Sequence, residues 1–215
     1  MSLLHDLRYA LRMLRQMPGF ALIAIVVLAI GIGANCAIFS LVDAALLRPL
    51  PFPHPQELVR LWERPPGNDR NAVSPLNFLD WSEQNHVFAS MAAVSGGGRS
   101  LTTPNGAERI PGQSMSLRFF NLLGVKPIAG RTFIAEDAKP GTQVVVISER
   151  FWRSHFGSNP QIVGSTIPLD GQPFAVVGIV PASFEIINRV DLWTMFTVKR
   201  SREQRAMHYL RVLGV

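Results

Sequence analysis

The sequence predicts one membrane-spanning helix followed by a mixed α+β domain. Three observations carry this. Between Gln16 and Val42, about 27 consecutive positions hold no charged residue, against about 20 needed to cross a bilayer. From Glu57 onward, short strand-like and helix-like runs alternate, each closed by Gly, Pro, Asn or Asp. The long, regular βαβ units of a doubly wound sheet are missing, which favours α+β over α/β.

Residues 1–17 read as an amphipathic helix on the cytoplasmic side. Leu4, Leu7, Leu11 and Leu14 recur at helical spacing, and Arg8, Arg12 and Arg15 form a second stripe beside them. Such a helix lies in the membrane interface, its leucines in the acyl region and its arginines at the headgroups. Residues 18–48 read as the span. A core helix usually supplies only about 10–14 apolar residues, and the apolar region of a cleaved signal is about 7–15 residues long. Both are too short for this run. Cys36 sits inside the run and after Asn35, which argues against a lipidated cysteine. The arginines before the span outnumber Arg48 after it, so the N-terminus is expected in the cytoplasm and the main domain outside. Ala29, Gly33 and Ala37, four apart, form a small-residue face where another helix can approach.

Pro49, Pro51, Pro53 and Pro55 fall within seven residues. Proline fixes φ and cannot continue a helix, so residues 49–56 read as an extended, stiff exit from the membrane. Residues 57–215 form the domain. Glu57–Glu63 alternates as a strand does. Ser74 and Pro75 start a helix, Ser as cap and Pro in the first turn. Asn105-Gly106 marks a hairpin. A short helix runs from Ser116 to Gly124. A buried strand, Val144–Ile147, leads to Ser148 as the cap of a helix closed by Gly157. Asp170-Gly171 marks a second hairpin, and the last residues begin another strand.

No chemistry-bearing motif stands out. There is no G-x-x-x-x-G-K-[ST], and Ser95–Ser100 (SGGGRS) reads as a flexible loop. His5, His54, His86, His155 and His208 show no metal-ligand spacing, and no G-x-S-x-G elbow occurs. Asp80 and Glu83, a helical turn apart, read as a solvated face. Trp62, Trp81, Trp152 and Trp193 read as packing residues. An enzyme would need polar groups to converge around Asp80, His86, His155 and Asp170. No catalytic residue, cofactor site or metal site is therefore assigned. The net charge of +6 collects before the span and at Lys199, Arg200, Arg202 and Arg205, without the interleaved aromatics of a strand-binding groove, so no nucleic acid partner is expected.

The stretch Gly31–Val59 (GIGANCAIFSLVDAALLRPLPFPHPQELV) resembles the first membrane helix of the MacB/FtsX-like ABC transporter permeases, especially their acidobacterial long form. Phe119–Gly141 and Val144–Phe184 resemble the MacB-like periplasmic core domain through four elements: Leu-Gly-Val-x-Pro, Gly-Arg-x-Phe, Trp-Arg-x-x-Phe-Gly and Val-Gly-Ile-x-Pro. Cys36 and Asp43 stand where smaller or neutral residues are more typical. The resemblance implies a periplasmic domain with a βαβ-like part and a β-rich insertion. It also implies that the chain is the amino-terminal piece of a permease with further helices. That permease is non-catalytic, sits in the inner membrane, and is driven by an ABC ATPase subunit whose hydrolysis moves the periplasmic domain (mechanotransmission). A periplasmic adaptor and a homo- or pseudo-dimer are further implied partners, besides the lipid bilayer. The alternative is a membrane-anchored ligand-binding or sensing module with no transport role.

Overall fold

The computed structural model describes residues 5, 9, 12–13, 15–43, 52, 55–67, 69–104, 106–182, 184, 189–196, 198 and 200–215. The chain divides into two units, Met1–Leu50 and Pro51–Val215.

In the first unit, helix α1 spans Pro18–Val42, 25 residues with none buried. At about 1.5 Å per residue it is about 38 Å long, more than the roughly 30 Å hydrocarbon core. It is the one helix among the described residues long and apolar enough to cross a membrane. The backbone is also helical at Arg12, Met13, Arg15 and Gln16, but Met17 breaks the run with φ −124° and ψ 70°. The cause is Pro18, whose ring disfavours the α region for the residue before it. Arg8 and the four leucines of the expected interfacial stripe lie outside the described residues, as do residues 44–51 at the far end of the expected span.

The second unit is built on one sheet holding all nine described strands. In chain order the elements are β1 (Val59–Leu61), α2 (Pro75–Gln84), β2 (Met91–Thr103), β3 (Gly106–Met115), α3 (Phe119–Leu122), β4 (Ala129–Gly130), β5 (Val144–Ser148), α4 (Glu149–Phe156), β6 (Thr166–Leu169), β7 (Gln172–Val180), β8 (Leu192–Met195), α5 (Arg202–Ala206) and β9 (Arg211–Gly214). The strand order is β1-β9-β2-β3-β8-β5-β7-β4, with β6 bridging β2 and β7. The β5-α4-β6-β7 stretch returns β7 parallel to β5, which is the βαβ-like connection. The β-rich stretch 91–115 is one long antiparallel hairpin in the same sheet.

Local punctuation sets most boundaries. Ser74 Oγ accepts a hydrogen bond from the Asn77 N–H at 3.2 Å, with Pro75 in the first turn of α2. Ser148 Oγ caps α4 through the Phe151 N–H at 3.0 Å, and Gly157 closes it with φ +56°. Asp170 (φ +50°) and Gly171 (φ +74°) supply the two positive φ values that a two-residue hairpin needs. Four expectations shift. Ser95–Ser100, expected as a flexible loop, is the middle of β2 and pairs with β3 from Ser95–Ser114 to Ser100–Arg109. Thr103 pairs with Gly106, so the first reversal falls one residue before the Asn105-Gly106 step. The helix expected from Ser116 is helical only from Phe119, because Ser116 is tied to β2: its N–H donates to Ala93 O and its Oγ accepts from the Ala93 N–H. The strand expected over Glu57–Glu63 is regular only at Val59–Leu61, with a lone bridge from Glu63 to Asn71.

Alternation along the strands builds a core on each face. Val144 and Val146 of β5 point to a cluster with Phe119, Phe120, Phe133, Phe184 and Trp193. Val145 and Ile147 point the other way, to Phe151 of α4, Ile167 and Ile179. Near the β1 end, α2 covers the sheet through Phe78 against Met91, Ala93 and Val212. Of the four tryptophans, Trp193 is buried in the core, Trp81 and Trp152 are half-buried, and Trp62 is 36 % exposed with the Arg60 guanidinium stacked 3.7 Å from its ring centre.

Candidate functional site

Of the residues that an enzyme would need to gather, Asp80, His155 and Asp170 are each engaged by different partners. Asp80 lies 2.9 Å from Arg205 and 3.6 Å from Arg200. His155 stacks on Phe151 and reaches Ser154 Oγ at 2.7 Å and the Glu108 carboxylate at 3.2 Å. Asp170 accepts from the Ser100 N–H at 2.8 Å and from Arg99 at 3.0 Å. The Ser100 hydrogen bond, opposed by burial and supported by Arg99, holds its carboxyl below the usual range. His86 lines a separate cavity of about 400 Å³ with Trp62, Trp81 and Phe88. Among the described residues, no group of three or more His, Cys, Asp or Glu could hold a metal ion. Asp80 and Glu83 lie on a partly solvated face as expected for them, and both pair there with Arg200.

The membrane-facing candidates fall as follows. Ala29, Gly33 and Ala37 lie along α1 and are all exposed, and a side chain added at Gly33 would meet nothing within 4 Å. Asn35 Nδ2 donates to Gly31 O at 2.9 Å, which satisfies the one amide inside the apolar run. Arg12 and Arg15 are exposed and Arg8 lies outside the described residues. Pro49, Pro51 and Pro53 also lie outside them, while Pro55 opens a turn over 55–57.

One site was not singled out in the sequence. Phe52, in the middle of the proline run, is half-buried and packs against the aromatic core cluster. It lines a groove of about 260 Å³ with Leu123, Gly124, Val125, Lys126, Pro181 and Phe184. Two of the four sequence elements build this groove. Leu-Gly-Val-x-Pro supplies Leu123 to Lys126: Gly124 takes φ +63°, which lets the Val125 N–H reach Phe120 O at 2.9 Å. Val-Gly-Ile-x-Pro supplies Pro181, whose carbonyl accepts from the Phe184 N–H at 3.0 Å. Phe184 in turn meets Phe120 and Trp193, each at 5.6 Å between ring centres.

A third element fixes the edge strand beside it. In Gly-Arg-x-Phe, a Cβ on Gly130 would overlap Val177 O, and one on Gly178 would overlap Arg131 O, so β4 and β7 approach as only glycine permits. Arg131 then clasps Asp137 with Nη1–Oδ2 at 2.6 Å and Nη2–Oδ1 at 3.0 Å, and the Ile134 N–H donates to the same carboxylate at 2.9 Å. Burial works against the Asp137 charge, but these hydrogen bonds and the guanidinium outweigh it and hold the carboxyl below its usual range. Phe133 enters the aromatic cluster 5.6 Å from Phe120. The fourth element closes α4, with Trp152 Nε1 donating to Asn159 O at 2.8 Å and Gly157 at the cap. The recurring residues are thus spent on backbone approach and groove walls rather than on reactive groups.

The chain thus carries one helix long and apolar enough to cross a membrane and, as a separate unit, a domain built on a nine-stranded sheet. The model of the MacB-like periplasmic core domain matches residues 21–212, and the chain belongs to that family. The macrolide export ATP-binding/permease protein MacB of Burkholderia pseudomallei (strain 1710b) is 32% identical over 88 residues, which is 40% of this chain and 14% of that protein. The chain thus matches only a small part of the length of its curated relatives. Two solved structures share the fold: the periplasmic region of MacB from Actinobacillus actinomycetemcomitans (16% identity, TM-score 0.54, covering 74% of this chain and 73% of that one), and the extracellular domain of the noncanonic ABC-type transporter YknZ from Gram-positive bacteria (14% identity, TM-score 0.54, covering 74% and 82%).

Proposed function

We propose that this chain is part of a non-catalytic permease subunit of an ABC transporter of the efflux or mechanotransmission type. Helix α1 anchors it in the inner membrane with the N-terminus in the cytoplasm and residues 57–215 in the periplasm. An ATPase subunit hydrolyses ATP, the periplasmic domain moves in response, and a periplasmic adaptor and a second copy or pseudo-copy complete the assembly. The interfacial arginines Arg8, Arg12 and Arg15 hold the cytoplasmic edge, and Ala29, Gly33 and Ala37 receive a neighbouring helix. The observation that carries this reading is the continuous family match, which runs from inside α1 to β9 and so joins a helix able to cross a membrane to the periplasmic fold.

The stiff exit is the part that motion must pass through. Changing Pro49, Pro51 and Pro53 together to Gly, in the permease that carries this segment, is expected to abolish export while leaving membrane insertion intact. Unchanged export would sink the tether. A second reading, an anchored binding module without transport, is favoured by the cavity beside Trp62 and Trp81, whose size and apolar lining suit a small ligand. Co-purification of an ATPase subunit with the permease would exclude it.

A further inference from the structure

We propose that Phe52 is the anchor that fixes the exit segment to the domain core, making it the residue at which displacement of the membrane helix becomes displacement of the sheet. This rests on the tether reading above and names its point of attachment. Three observations lead to it. Phe52 is half-buried and packs against the aromatic core cluster. The walls of its groove are fixed: Val125 is hydrogen-bonded to the end of α3, Pro181 ends the core strand β7, and Phe184 is stacked into the cluster holding Trp193. A pull on Phe52 therefore meets the core directly and not a surface loop.

The sequence adds the third observation. Pro51 and Pro53 flank Phe52. Proline limits its own φ and biases the preceding residue to extended backbone. The aromatic side chain is thus presented with few backbone states to lose when it packs on the core cluster. Among the described residues that follow, the next side chain that packs on the same cluster is Leu58. Release of Phe52 therefore lengthens the connector after the expected span 18–48 from residues 49–51 to residues 49–57. Positional spread grows by about 1.7-fold for a flexible connector and about threefold for a stiff one.

The test uses the 215-residue chain in lipid nanodiscs, with Cys36→Ser and spin labels at Leu41→Cys on α1 and Lys139→Cys on the domain. The width of the inter-label distance distribution is the readout, beside the melting temperature of the domain. Phe52→Ala is expected to broaden the distribution by that factor with the domain still melting cooperatively, and Phe52→Tyr to restore the original width. Should Phe52→Ala fail to fold, Phe52→Leu is read on the same scale, where an intermediate width supports the anchor. An unchanged width in either Ala or Leu overturns it. No nucleotide or ATPase enters this measurement, so a loss of the transporter reading would show in the export assay alone, and a loss of the anchor here alone.

Discussion

The two ends of the sheet are held by opposite means. At the β4–β7 end, two backbones meet where only glycine fits, and a buried carboxylate is clasped by Arg131 and a backbone N–H. Phe52, Val125 and Pro181 line a groove beside Phe184. At the β1–β9 end, the connection between β8 and β9 packs Phe196 against Phe78 of α2 and otherwise meets α2 through side-chain charges. Arg200 and Arg205 reach Asp80, Arg205 reaches Asn77 Oδ1 at 2.7 Å, and His208 lies 2.9 Å from Glu63. Its helix α5 buries no residue. Steric fit is insensitive to solvent, whereas exposed charge pairs are weak and screened by salt. On the proposed reading, displacement enters the domain at Phe52, beside the sterically fitted end of the sheet.

The sharpest way to break this comparison is to spoil the glycine contact. Gly178→Ala forces a methyl into Arg131 O and is expected to cost about 4 kcal/mol or more, a fall in melting temperature of about 10 °C or more for a domain of this size. Gly141→Ala is the control: its φ of +87° strains a side chain, but nothing lies within 4 Å, so the loss is about 1–2 kcal/mol. Equal losses from the two would mean that β4 and β7 relax freely, and the rigid end would not exist.

Asp137 gives the next largest effect. Its side chain is 4 % exposed against 42 % for Arg131. Breaking a buried pair costs about 3–5 kcal/mol, and the half-exposed guanidinium places Asp137→Ala near about 3 kcal/mol at neutral pH. The folded carboxyl titrates below its unfolded value of about 3.9. The stabilisation is therefore full above the unfolded value and disappears as pH falls through the lower folded one. Denaturant titrations of the two proteins should differ at pH 7 and converge in acid. A gap that persists below both values would assign the effect to packing.

Local signals were legible and distant pairings were not. Ser74-Pro75, Ser148 with Gly157, and Asp170-Gly171 each act within four or so residues, and each is where the sequence places it. The apolar run is legible because a membrane helix needs length and composition alone. Phe52 was hidden among prolines because its partners lie at 123–126, 181 and 184. Asp80 and Glu83 read as a solvated face without their arginines, which follow more than a hundred residues later. The closing strand is recognisable as a strand, but its place between β1 and β2, inside the sheet, depends on pairings with residues 59–61 and 91–94.

The smallest expected effect tests the soft end. Asp80 receives both arginines of the β8–β9 connection, and its side chain is 28 % exposed while theirs are above half. Asp80→Asn removes that charge and leaves Phe78 and Phe196 in edge contact at 6.2 Å. The melting temperature is expected to fall by less than about 2 °C. Amide exchange at Arg202–Ala206 should nevertheless quicken by about twofold to fivefold, because this segment opens locally and its charges are what hold it. Raising salt to about 1 M should bring the unmodified protein to the same rate, since the Debye length then drops to about 3 Å, and should leave exchange in β5 and β7 unchanged. If salt and Asp80→Asn leave Arg202–Ala206 as slow as before, that connection is held by packing after all, and the two ends of the sheet do not differ in kind.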